Sequence, residues 1–212
     1  MRAQEFIDEQ IVDEYAETDR SVIDALQQKG YHLLGSGVDQ TAFAEPGTGL
    51  VLKIFGTDET NKFSRDHQMF FKWAEFCEKN SSNPFLPRFY GHESFMWPHQ
   101  PVKGQKQHRY LMIRTEELDE SDVAGMILSE LAVEVTDGYN IADVIRAVEE
   151  LNPKAYRKLV NKIGEKGVAQ FLQTAKKLHQ IGERAGYAWD LHSGNIMMRA
   201  DGTPVINDPW VL

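Results

Sequence analysis

The stretch Tyr187-Ala-Trp-Asp-Leu-His-Ser-Gly-Asn-Ile-Met-Met-Arg-Ala-Asp-Gly-Thr-Pro-Val-Ile-Asn-Asp-Pro-Trp210 constrains the fold more than any other part of the chain. Ile196-Met-Met reads as a strand, Ala200-Asp-Gly202 as a tight turn and Thr203-Pro-Val-Ile-Asn207 as the returning strand. Asp-Gly between apolar runs is a strong short-range hairpin signal. Closing that hairpin carries Asp208 back beside Asn195, thirteen residues earlier, and Asp190 lies five residues before Asn195. Three oxygen-bearing side chains are thereby expected at one point. A hard cation such as Mg2+ wants oxygen ligands, usually one or two carboxylates together with substrate phosphates. Taken singly, each segment reads equally well as a polar turn or an ordinary strand end. Their joint spacing is what favours a shared metal.

Upstream lies a strand-rich block. Residues about 4 to 28 carry apolar positions at helical spacing, among them Phe6, Ile7, Ile11, Val12, Tyr15, Val22, Ile23 and Leu26, and Gly30 ends the pattern. Next come a strand at Tyr31-His-Leu-Leu34, a glycine loop at Gly35-Ser-Gly37-Val-Asp-Gln-Thr41 and a strand at Ala42-Phe-Ala44. A turn at Glu45-Pro-Gly-Thr-Gly49 leads into a strand at Leu50-Val-Leu-Lys-Ile-Phe55. Glycines between strands let backbone N–H groups approach a phosphate closely. Lys53 stands alone among apolar neighbours, and a lysine buried in such a strand needs an anionic partner. The plain alternatives are an ordinary hairpin turn for Gly35-x-Gly37 and an edge-strand lysine for Lys53. The order of the pieces favours the functional reading: Lys53 follows Gly35 by eighteen residues, and the Asp-x4-Asn and further Asp come later.

In this order the residues resemble the protein-kinase-like superfamily, including the aminoglycoside and choline phosphotransferases. Asp190-Leu-His-Ser-Gly-Asn195 is similar to the Asp-Leu-His-x-Gly-Asn loop of the small-molecule phosphotransferases, and Val51-Leu-Lys53 to the lysine strand of kinases. Asp208-Pro-Trp210 takes the place of Asp-Phe-Gly, as in short phage-encoded protein kinases. The resemblance implies an α+β, bilobal fold with an antiparallel sheet N-lobe and a mostly helical, truncated C-lobe. It divides the chain into a helical segment at 1–30, an N-lobe at 31–118 and a C-lobe at 119–212. It implies ATP and Mg2+ as cofactors. Gly35, Ser36 and Gly37 would cover the phosphates and Lys53 would hold them. The Glu116 carbonyl and Leu118 amide would hold the adenine, at the end of a strand. Asp190 would be the base for a substrate hydroxyl, with Asn195 and Asp208 on the metal. The carboxylate partner of Lys53 would come from the helix Arg65 to Lys79, and Glu75 and Asp66 both qualify.

The rest of the chain fits the same plan. Strands are expected at 88–95 and 108–115, and helices at 121–135, 141–151, 155–163 and 168–185, the last ending at Gly186. His192 is expected to hold its turn by packing or hydrogen bonding. Three departures stand out. Gln40 replaces the third glycine of the phosphate loop, Ala188-Trp189 replaces the His-Arg before the base, and the chain stops four residues after Asp208. Activation through a phosphorylated loop is therefore not expected, and the helices that bind a protein substrate are missing from the plan. A net charge of −9 argues against a nucleic-acid partner. There is no run of about 18 apolar residues to span a membrane. The first residues, Met1-Arg-Ala-Gln-Glu5, lack the apolar core of a leader. The single cysteine, Cys77, points to a reducing cytoplasm, the host's if the chain is phage-encoded. The leading expectation is a phosphotransferase acting on a hydroxyl of a protein or small molecule. Two rivals use the same residues: a pseudokinase that binds a partner protein, such as a host protein, and a kinase-like fold that transfers AMP.

Overall fold

The computed structural model describes residues 16–36, 40–57, 62–97, 107–120 and 123–212. The helical pattern expected at 4 to 15, Gly37 and most of the loop at 98–107 lie outside them. The fold is α+β, and the chain separates into a sheet unit, residues up to 63 with 91–114, and a helical unit, residues 64–90 with 115–212.

The sheet unit opens with α1 (Ala16–Gln28), which ends where Gly30 takes φ 89° and the Tyr31 amide donates back to the Leu26 carbonyl. Five strands follow: β1 (His32–Ser36), β2 (Thr41–Glu45), β3 (Leu50–Gly56), β4 (Phe89–Trp97) and β5 (His108–Glu116), in the spatial order β1-β2-β3-β5-β4. The first three form an antiparallel meander. The Thr57 amide, just past β3, donates to the Arg109 carbonyl at the start of β5. The Glu116 amide at the end of β5 donates to the Arg88 carbonyl before β4. Both pairs therefore also run antiparallel. Alternation along strands sends Phe43, Leu52, Ile54 and Tyr110 to one face, where they meet Val22 of α1 in a buried cluster. Fully burying an apolar side chain of this size stabilises by roughly 1.5–3 kcal/mol.

One expectation needs correcting here. Gly35 and Ser36 do not belong to a loop. They continue β1, pairing with Ala42 and Thr41, after a register shift between Leu33 and Gly35. Glycine tolerates a turn but does not compel one, and the ladder with β2 decides.

The helical unit begins with α2 (Arg65–Lys79). Ser64 Oγ accepts from the His67 amide at 3.1 Å and caps it. Met69, Phe70, Trp73, Ala74 and Cys77 form its buried face. Burial pushes the Cys77 thiol up, so it stays protonated and apolar in behaviour. Then come α3 (Val123–Thr136), α4 (Ile141–Leu151) and α5 (Pro153–Ala185). Asn140 caps α4 and Asn152 caps α5, each through its side-chain oxygen. Gly164, at φ 73° and ψ 160°, interrupts α5 between the two apolar patterns that the sequence shows. Its second half buries Val168, Phe171, Leu172, Ala175 and Leu178, a stripe at helical spacing, and Gly186 ends it at φ 76°; α5 as a whole packs against α3 and α4. Four short strands finish the unit: β6 (Ala188–Trp189), β7 (Ile196–Met198), β8 (Pro204–Ile206) and β9 (Trp210–Val211), with β6 on β9 and β7 on β8, both antiparallel. Among the described residues no helix is long and apolar enough to cross a membrane.

Candidate functional site

Backbone pairing gathers Asp190, Asn195 and Asp208. Trp189 pairs with Trp210, and the Asp190 amide donates to the Pro209 carbonyl at 2.9 Å. Ile196 pairs with Ile206, and the Asn207 amide donates to the Asn195 carbonyl at 2.7 Å. Asp190 and Asn195 each adjoin a strand pair, and Asp208 lies two residues from both, between Ile206 and Trp210. The turn Asp-Gly expected between the strands is present: the Gly202 amide donates to the Arg199 carbonyl, and Gly202 takes φ 84°.

Side chains tighten the loop. Asn195 Nδ2 donates to the Asp190 carbonyl at 2.7 Å and to Asp190 Oδ2 at 3.2 Å. That choice leaves Oδ1 as the acceptor of the amide. His192 Nδ1 accepts from the Gly194 amide at 3.0 Å. In the neutral ring the hydrogen therefore sits on Nε2, which faces Asp190 Oδ2 at 3.9 Å. A Cβ on Gly194 would come within 2.8 Å of His192 Cε1, so a side chain there would displace the imidazole. His192 holds the turn, as expected.

Asp208 has φ 79°, and among the described residues it is the one non-glycine with a positive φ. Aspartate tolerates this region better than most residues, yet such a conformation costs on the order of 1–3 kcal/mol. It persists where the surroundings over-determine it. Here β8 must leave its pairing with β7 and β9 must take up its pairing with β6 within a few residues. Trp210 secures the second pairing. Its Nε1 donates to the Leu178 carbonyl at 3.1 Å, and its ring meets Trp73 edge-on at 5.3 Å between centroids. Gly182 makes room for the indole, since a Cβ there would lie 2.7 Å from Trp210 Nε1.

In the sheet unit, Gly35 pairs with Ala42 and Ala42 with Lys53. Residues opposed across antiparallel strands project to the same face, so the three form one row on the face away from α1. The row presents no side chain, then a methyl group, then a half-buried lysine, and a Cβ added at Gly35 would meet nothing within 4 Å among the described residues. Ser36 projects to the α1 face instead, where its Oγ lies 3.0 Å from Thr41 Oγ1. Gln40 Oε1 is buried with no hydrogen-bond partner among the described residues.

The segment after β5 is tied down within the helical unit. The Glu116 carboxylate accepts from Arg199 and from the Arg88 amide, its own amide donates to the Arg88 carbonyl, and its carbonyl accepts from Thr115 Oγ1 at 3.2 Å. Leu118 is half-buried, and Asp119 exchanges two backbone hydrogen bonds with Met198. Glu75 is exposed and pairs with Lys79 at 3.4 Å, while the Asp66 side chain lies outside the described residues.

Among the described residues no group of three or more His, Cys, Asp and Glu gathers to hold a metal. The set Asp190, Asn195 and Asp208 is all oxygen and carries two carboxylates. It suits a hard cation that keeps further positions for phosphate or water, and does not suit a soft metal. The Arg199–Glu116 pair escaped the sequence reading because its partners are 83 residues apart, with no local signal. No family model and no curated protein matches this chain.

Proposed function

We propose that the protein is an ATP- and Mg2+-dependent phosphotransferase of the protein-kinase-like superfamily. It transfers the γ-phosphate to a hydroxyl of a small molecule or of a protein serine or threonine. In this reading the α+β fold is the bilobal kinase-like one. The observation that carries the reading is Asp208. Its carboxylate is kept at a strained φ of 79° by the same strand pairs that fix Asp190 and Asn195. Backbone strain of this kind concentrates at functional sites.

The roles follow from chemistry. Asp190 accepts the proton of the attacking hydroxyl, and Asn195 Nδ2 and His192 Nε2 steady its carboxylate. Asn195 Oδ1 and Asp208 would hold Mg2+, which supplies charge neutralisation on the phosphates when bound. Lys53 and the backbone at Gly35 and Ser36 hold phosphates, and the backbone of Glu116 and Leu118 holds the adenine. Phosphoryl transfer asks mostly for positioning and electrostatic stabilisation, which such a set supplies.

The test uses the full chain. Thermal shift with ATP and Mg2+ should show stabilisation by mass action. Incubation with γ-labelled and α-labelled ATP should release or transfer only the γ label. Movement of the α label would mean AMP transfer. Binding without turnover would mean a binding module. No shift with ATP at any Mg2+ concentration would overturn the proposal.

A further inference from the structure

Three segments distant in sequence meet on Arg199. Its Nε donates to Glu116 Oε2 at 2.7 Å and its Nη2 to Glu116 Oε1 at 2.6 Å, a bidentate pair. Nη2 also reaches the Leu86 carbonyl at 2.8 Å, and Nη1 donates to the Pro84 carbonyl. The Arg88 amide donates to Glu116 Oε1 at 3.0 Å. The two side chains are only 10% and 11% exposed. Bidentate, charge-assisted hydrogen bonds fix geometry as well as adding energy. Removing either partner would strand a nearly buried charge.

Backbone bonds extend the clasp. Asp119 and Met198 exchange amide-to-carbonyl bonds of 2.8 and 2.9 Å, and the Ile206 amide donates to the Phe85 carbonyl at 2.9 Å. The segment 116–119 and the β7–β8 hairpin are therefore joined by both side-chain and backbone hydrogen bonds. Asn195 immediately precedes that hairpin and Asp208 follows it.

We propose that Arg199, through Glu116, is a positioning residue that couples nucleotide binding on segment 116–119 to Mg2+ binding at Asn195 and Asp208. The proposal rests on the phosphotransferase reading above, in which that segment holds the adenine. Arg199 touches neither base nor metal; it keeps the two in register. Lysine cannot stand in, because a single ammonium cannot serve a carboxylate fork and two carbonyls at once.

The experiment is calorimetric titration of the full chain with adenosine and with a non-hydrolysable ATP analogue, each with and without Mg2+. In the unaltered protein Mg2+ should tighten the analogue by about tenfold, a typical coupling between sites. In Arg199→Gln that factor should fall to near one while adenosine affinity stays within about twofold. Arg199→Lys should not restore it. A merely structural role would weaken every ligand and leave the Mg2+ factor unchanged, and an unchanged factor overturns the proposal. If the unaltered protein does not bind the analogue at all, the phosphotransferase reading itself falls, and this proposal with it. Should Arg199→Gln not fold, hydrogen exchange on the unaltered protein decides. The Asp119 and Met198 amides should gain protection together on adding analogue and Mg2+, and independent responses would overturn the coupling.

Discussion

On the sheet, Gly35, Ala42 and Lys53 line up across three strands, and among the described residues a Cβ added at Gly35 would meet no atom within 4 Å. Around the C-terminal strands a Cβ added at Gly182 of α5 would lie 2.7 Å from Trp210 Nε1, and one at Gly194, before β7, would lie 2.8 Å from His192. The same residue type marks open space in one region and a filled contact in the other. In the proposed phosphotransferase reading the difference matches two tasks. A surface that receives a ligand of fixed shape must leave room beside its charged group. A loop that holds two oxygens for one cation must remove freedom from its own backbone, and does so with paired strands, a capping histidine and an anchored indole.

That contrast can be broken by experiment. The largest effect should come from the anchor: Trp210→Ala should cost about 3–5 kcal/mol in chemical denaturation, through a lost core aromatic and its cavity. Asp190→Asn should lower turnover by at least about 100-fold in steady-state kinetics, the scale of a positioned base, while ATP affinity in thermal shift stays close to that of the unaltered protein. Gly182→Ala should destabilise by about 1–3 kcal/mol, since the indole must move, whereas Gly35→Ala should stay within about 0.5 kcal/mol. Equal costs at the two glycines would erase the contrast. The smallest effect concerns the turn. The Thr203 amide, and secondarily its hydroxyl, hold the Asp201 carboxyl below its usual range. A carboxyl lowered by folding contributes stability above its unfolded pKa and loses it as pH falls through the folded value. Asp201→Asn should therefore flatten the fall in stability below about pH 4, measured as the denaturation midpoint against pH.

Much of this was legible before the fold. The Ile141–Leu151 helix lies between Asn140 and Asn152, whose side chains cap what the apolar spacing predicted. The Asp-Gly turn closed the hairpin that brings Asp208 back, because that signal is local. The gap between the patterns at 155–163 and 168–185 is the non-helical Gly164. What escaped was set by distant partners. The extension of β1 through Gly35 and Ser36 comes from its ladder with β2, and the Arg199–Glu116 pair joins residues that no window of sequence contains together. The strain at Asp208 escaped for a similar reason: it arises where two separate strand pairings meet, not from Asp-Pro itself.

The account's central claim is that Asp208 is held in a costly conformation because its carboxylate is needed on the metal. Glycine accepts a φ of 79° without penalty, so Asp208→Gly should relieve the backbone while deleting the ligand. The measurement is ATP turnover by Asp208→Gly across a range of Mg2+ concentrations, with the thermal midpoint recorded on the same samples. The account predicts a protein at least as stable as the original with no Mg2+-dependent turnover. Full turnover in a folded Asp208→Gly would contradict it.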